Sequence, residues 1–357
     1  MSAVWRPAGM PTHLQGRRWL WWLGLPLALC CAALAATQGA YAITLNDLPR
    51  LWAWWWRPAD APFNPDLTAA QVFWHIRAPR LLMACLAGAA LGVSGAMIQG
   101  LFRNPLADPG LIGVSAGGAL GAASCIVLLP MLSSGMSGMA ATMVFAFAGG
   151  VLVTALAWRL SRRQGQVHLA NLLLVGLAIN ALAMAGLGLL TYLASDTQQR
   201  ALNFWLLGSL APSQWTTVLA VLPPVLLALI GSHTLQRPLD ALALGEAQAR
   251  VMGVNVKRLQ LMCVGLTAMA VGAVTAVIGM VGFIGLLAPH LIRLLLGPRH
   301  HVVLPGSALM GACLVLLADT AARTVAPPVE LPLGVLTGLI GAPVFLVLLR
   351  QRGPRAQ

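Results

Sequence analysis

The chain of 357 residues is 59% hydrophobic and only 9% charged, with a mean hydropathy of +0.81, where a soluble domain carries roughly 25% charged residues. That composition excludes a soluble or disordered protein and predicts an all-α, polytopic membrane protein. A formal charge of +13 at pH 7 would suggest nucleic acid as the partner of a soluble domain, but in a membrane chain it matters through its division between loops, so no nucleic-acid partner is expected.

Residues 1–18 read as a polar N-terminal tail carrying Arg6, Arg17 and Arg18. The apolar run from Trp19 to Thr37 is followed by Ala40-Tyr41-Ala42, which fits a signal-peptidase site. The run is longer than the apolar core of a usual signal peptide and matches a bilayer crossing, so it is read as an uncleaved first span. Ten candidate spans follow from apolar length, at about 19–41, 81–102, 111–132, 138–158, 169–195, 215–235, 259–281, 283–297, 302–322 and 333–349. Together they predict one transmembrane domain over 19–349 and a short C-terminal tail over 350–357.

With both termini inside, the outer loops hold Arg50, Arg57, Arg77, Arg80, Arg200 and Arg323, and the other 16 of the 22 Lys and Arg residues fall inside. That asymmetry is the positive-inside pattern and supports an even number of spans. Tryptophans at both predicted boundaries agree with it, Trp19 and Trp158 inside, Trp56 and Trp215 outside. The outer loop from Ile43 to Arg80 contains amphipathic pieces, Leu48–Trp56 and Thr68–Ile76, expected to lie along the membrane surface as a lid.

Small residues recur at Gly88/Gly92, Gly113/Gly117/Gly121 and Gly334/Gly338, a G-x-x-x-G spacing that lets helix backbones approach closely. Arg80-LLMACLAG and Arg258-LQLMCVG begin spans at opposite faces and are faintly alike, as in an inverted repeat. The six cysteines all sit in apolar runs without C-x-x-C or His spacing and read as small buried hydrophobes, so neither a metal nor a cofactor is expected.

The stretch from Gln236 to Arg258 is the one long polar interruption between apolar helices, and it holds the only lysine, Lys257. Within it, Ala243 to Gly253 reads as a short amphipathic helix with Leu244, Ala247 and Val251 on one face and Glu246 and Arg250 as an i,i+4 pair on the other. A water-facing helix between spans suggests a docking surface. Because Lys257 is followed by Arg258, no P-loop is possible, so any ATPase must be another chain. Protease, hydrolase and EF-hand motifs are also absent, and nine acidic residues leave little for acid–base chemistry. The chain is expected to be a transport subunit and not an enzyme.

The constellation from Arg77 to Gly121 carries a family resemblance. R-x-P-R, then G-x-x-L-x-x-S-G-x-x-x-Q, then R-N-P-L-A-D-P-x-x-x-G-V-S resembles the FecCD-type permeases of ABC importers for ferric siderophores, hemin and vitamin B12. N-F-W-L-L-G-S-L (203–210), Leu244-Gly245-Glu246 with Ala249 and Gly253-Val254, G-F-I-G-L-L-A-P-H-L-I-R (282–293), A-D-T-A-A-R (318–323) and E-L-P-L-G-V-L-T-G (330–338) follow in order. The run from Ser195 to Leu210 looks like the hemin permeases, although Gln199 stands where Leu is expected before Arg200.

The resemblance implies a ten-helix permease of the type II importer fold in the bacterial inner membrane. Its implied partners are a second copy of itself, two cytoplasmic ATP-binding subunits and a periplasmic substrate-binding protein that delivers an iron chelate, hemin first, with siderophore or cobalamin as the alternative. It also implies that Arg77, Arg80 and Arg323 receive acidic residues of the binding protein, where the competing reading is arginines snorkelling at helix ends. Gly245, Glu246, Ala249 and Gly253 would form the ATPase-coupling element. Asn104 and Leu106, beside Pro105 and Pro109, would form a cytoplasmic constriction, the competing reading being a plain turn.

His168 falls at the inner mouth, and His290 with Arg293 shares a face of span eight. His290 and Arg293 are read as a structural pair, and whether His168 or His290 ever ligates heme iron stays open. Asp319 precedes Arg323 by four and is expected to pair with it. An intramembrane acid also keeps open a rival class, the proton-coupled secondary transporter.

Overall fold

A computed structural model describes residues 20–39, 43, 44, 47, 49, 51, 68–129, 135–163, 166–326 and 329–350. The N-terminal tail, Ala40-Tyr41-Ala42, most of the tryptophan-rich outer loop and the tail beyond Arg350 lie outside them.

A π-helical turn, Leu20–Gly24, leads into α1 (Leu25–Thr37). Thr68–Val72 and a second π turn, Phe73–Arg77, run straight into α2 (Ala78–Phe102), so the second span begins earlier than its apolar run suggests. Then come α3 (Val114–Leu128), α4 (Gly135–Leu160), a two-residue ladder pairing Arg162 with Val167 and Arg163 with Gln166, and α5 (Leu169–Leu193). The second half comprises α6 (Asp196–Leu207), α7 (Trp215–Ala243), α8 (Glu246–Val251), α9 (Val256–Ile278), α10 (Ile284–Leu296), α11 (His300–Thr324) and α12 (Leu333–Arg350). Six described helices are long and apolar enough to cross a membrane, and four shorter apolar ones, Trp22–Thr37, Val114–Leu128, Ile284–Leu296 and Leu333–Val347, match the remaining expected spans. The fold is all-α and polytopic.

Glycines set the packing because backbones can touch only where no side chain intervenes. A Cβ on Gly88 or Gly92 of α2 would sit 2.1 Å or 2.0 Å from the carbonyl oxygens of Gly311 or Ser307 of α11. Gly117 and Gly121 of α3 likewise press on α4, where a Cβ would lie 2.5 Å from Gly149 O and 2.1 Å from Phe145 O. Gly334 meets Met280 and Leu207, whereas Gly338, expected to pack with it, faces open space within this chain. The most buried of the long spans are α2 and α9, the two helices whose openings resemble each other.

Among the described residues six prolines lie inside helices, at 223, 224, 238, 289, 305 and 343, tolerated where neighbouring helices re-satisfy the freed carbonyls. Helix α7 runs through Gln236-Arg237-Pro238 to Ala243, eight residues past the predicted end of its span. Its apolar residues Leu235, Leu239 and Leu242 remain buried there, which carries the helix on. The polar connection to α9 therefore shrinks to residues 244–255.

Candidate functional site

At one end of the bundle the three predicted arginines come together. Arg80, on the first turn of α2, is buried and forks onto two carboxylates. Its Nε and Nη2 donate to Asp319 Oδ1 at 3.0 and 2.8 Å, and its Nη1 and Nη2 donate to Glu330 Oε1 and Oε2 at 3.0 and 2.9 Å. Arg323 Nε donates to Asp319 Oδ2 at 3.0 Å, so the expected i,i+4 pair is present. Asp319, on the last turns of α11, thus serves two guanidiniums, which is how a buried carboxylate stays compensated.

Arg77 and Arg323 also cap α1. Arg77 Nη1 donates to the carbonyls of Ala36 and Thr37, and Arg323 donates to those of Ala35 and Gln38. These are the carbonyls a helix leaves without intrahelical donors, at the negative end of its dipole. Gly39, at φ +145°, ends the segment beside both guanidiniums, and a Cβ there would lie 2.9 Å from Arg77 Nη2. The guanidiniums point into the protein, onto carboxylates and the carbonyls that end α1. Glu330 is a neighbour of this cluster that sequence reasoning missed. Its motif was visible, but 250 residues separate it from Arg80.

At the opposite end, α2 stops at Arg103, a non-glycine residue in the left-handed region (φ 51°). Asn104 Oδ1 then accepts the Leu106 N–H at 2.9 Å, closing a tight turn that leaves Asn104 and Leu106 exposed. Asp240 caps α11 by accepting from the His300 N–H at 2.9 Å and facing its Nδ1 at 2.7 Å.

Between α7 and α9, Gly245 (φ +119°) and Gly253 (φ +82°) bracket α8. The apolar face of this short helix turns outward. Leu244, Ala247 and Val251 are exposed, the last at 89%, and Ala249 is the residue fully buried. The helix is one and a half turns long and leans on the bundle through Ala249, which aims the other apolar side chains outward. Glu246 and Arg250 do pair, at 3.6 Å on the surface. A cavity of about 710 Å³ joins this element to the end of α2, lined by Arg103, His168, Glu246, Arg250 and Lys257 among others.

The model of the FecCD transport family matches residues 27–351, nearly the whole chain. The chain belongs to that family. Among curated FecCD relatives, the hemin transport system permease protein HmuU of Yersinia pestis is 42% identical over 97% of this chain and 100% of its own length. The vitamin B12 import system permease BtuC of Escherichia coli is 36% identical over 95% of this chain and 97% of its own. Among solved structures, a metal-chelate type ABC transporter in an inward-facing conformation superposes with a TM-score of 0.81 at 31% identity, covering 94% of this chain and 99% of that one. The fold is that of an ABC transporter permease.

Two further contacts hold FecCD motif residues in place. Gln99, the last residue of the G-x-x-L-x-x-S-G-x-x-x-Q block, accepts from Arg293 Nη1 and donates to the carbonyls of Gly285 and Leu286, tying α2 to the first turn of α10. Arg293 is therefore engaged across the bundle, and the His290 ring lies edge-on to Phe345, 6.3 Å between centroids. Gly208 and Ser209, from the N-F-W-L-L-G-S-L block, join α9 to α12: Ser209 N–H donates to Ile278 O at 2.8 Å and Leu333 N–H to Gly208 O at 2.9 Å. Among the described residues no three His, Cys, Asp or Glu side chains gather as a metal site.

Proposed function

We propose that this FecCD permease is the membrane subunit of an ATP-driven importer that carries hemin from periplasm to cytoplasm across the bacterial inner membrane. It works as a pair of copies with two cytoplasmic ATP-binding subunits and a periplasmic substrate-binding protein, both termini lying in the cytoplasm. The observation that carries the reading is the 42% identity to a hemin permease along its entire length.

The two ends supply the working parts. The cluster of Arg77, Arg80 and Arg323 receives the binding protein, since a guanidinium fork orients a carboxylate. Gly245, Glu246, Ala249 and Gly253 present the exposed face of α8 to the ATPase. Asn104 and Leu106 form the constriction at the inner mouth. Asp319, the acid a proton-coupled carrier would need, is held by Arg80 and Arg323, which favours the ATP-driven class.

Cobalamin is the second reading, favoured by the BtuC relatives. Uptake assays in proteoliposomes holding the whole importer, with ATP inside and binding protein outside, compare hemin, a ferric siderophore and cobalamin. Hemin uptake that requires ATP is expected. Preferential cobalamin or siderophore uptake overturns the substrate, and uptake driven by a proton gradient without ATP overturns the class.

A further inference from the structure

Arg80 presents two edges to two carboxylates that differ in burial. Its Nε/Nη2 edge faces Asp319, whose side chain is 3% exposed, and its Nη1/Nη2 edge faces Glu330, whose side chain is 42% exposed. Desolvation separates the two pairs. The inner one cannot be broken without stranding a buried charge, whereas in the outer one the half-exposed Glu330 carboxylate can return to water while Arg80, itself 10% exposed, keeps Asp319.

We infer that Glu330 is a stand-in for the partner's carboxylate: in the undocked permease it fills the outward edge of Arg80, and docking exchanges it for an acidic side chain of the binding protein. This rests on the docking reading above. Three features support it. The backbone around Glu330 is pinned, Leu331 N–H to Ala322 O at 3.0 Å and Leu333 N–H to Gly208 O at 2.9 Å, so only the side chain need swing. Asp319 alone keeps Arg80 in place, through two donors on its other edge. Counting these five side chains, three arginines against two acids leave +1, and withdrawing Glu330 leaves +2, which strengthens the field a carboxylate partner meets.

The alternative role for Glu330 is to position Arg80, and it predicts the opposite sign. Affinity of the assembled importer for its purified cognate substrate-binding protein, loaded with no chelate, is measured at two salt concentrations. Glu330→Gln should bind roughly two- to fivefold tighter, the factor one exposed ion pair represents, mainly through faster association with a steeper salt dependence. Should that protein fail to fold, Glu330→Asp, one methylene short of the edge, must shift affinity in the same direction. Arg77→Gln serves as the separate check on docking and should weaken binding roughly tenfold or more. Weaker binding for Arg77→Gln with unchanged or weaker binding for Glu330→Gln overturns the stand-in and leaves docking intact. Unchanged affinity in both overturns docking itself.

Discussion

Gly88 and Gly311 meet backbone to backbone, each placing its carbonyl oxygen 2.1 Å from where the other's Cβ would stand. No rearrangement of a flexible side chain can relieve such a clash, since both neighbours are backbone. Gly88→Ala should therefore destabilise the protein by about 2–3 kcal/mol or more, seen as a lower thermal midpoint in detergent. Gly265→Ala on α9, which meets nothing within 4 Å, should be neutral or stabilising by up to about 1 kcal/mol. Equal melting of the two variants would refute the packing account.

Asp319 is the shared counter-charge of Arg80 and Arg323. Asp319→Ala should leave Arg323 without its carboxylate and Arg80 with only the half-exposed Glu330, costing about 3–5 kcal/mol, and should sharply reduce the monodisperse fraction on size exclusion. Glu330→Ala, removing the exposed partner of the same arginine, should cost no more than about 1 kcal/mol. If both variants behave alike, the division into a fixed inner pair and an exchangeable outer pair is wrong.

Gly245 needs its left-handed backbone, and a Cβ there would lie 2.6 Å from Gln248 Oε1. Gly245→Val or Ala249→Trp should displace α8, abolishing ATP-driven uptake while the permease still folds and inserts. Wild-type uptake in either would remove the coupling role from this element.

Topology is tested by single cysteines in a Cys-free background. Positions 162 and 240 should react with an impermeant maleimide only from the cytoplasmic side, and positions 60 and 198 only from the periplasmic side, following the excess of inner basic residues. Position 60 lies outside the described residues. Labelling of position 240 from the periplasm would invert the orientation.

Apolar length is a one-dimensional property, so the all-α, polytopic class could be read from residue order alone. The Asp319–Arg323 and Glu246–Arg250 pairs were legible for the same reason, since four residues on a helix make neighbours by geometry. Sequence also marked Gly88 and Gly92 as contact points, though not that α11 would be their partner. What it could not reveal were relations across the fold: Arg80 with Glu330, Gln99 with Arg293, Asp240 with His300. Which residue of α8 is buried could not be read either, because Ala247 and Ala249 are the same residue type and in so short a helix burial is decided by where the bundle touches it. Helix α7 outran its apolar stretch because tertiary contacts bury Leu239 and Leu242. Hydrophobicity along the chain determined which segments are helices in a membrane, while backbone approach at glycines and the compensation of buried charge, which exist only once helices pack, decided which residues share a site.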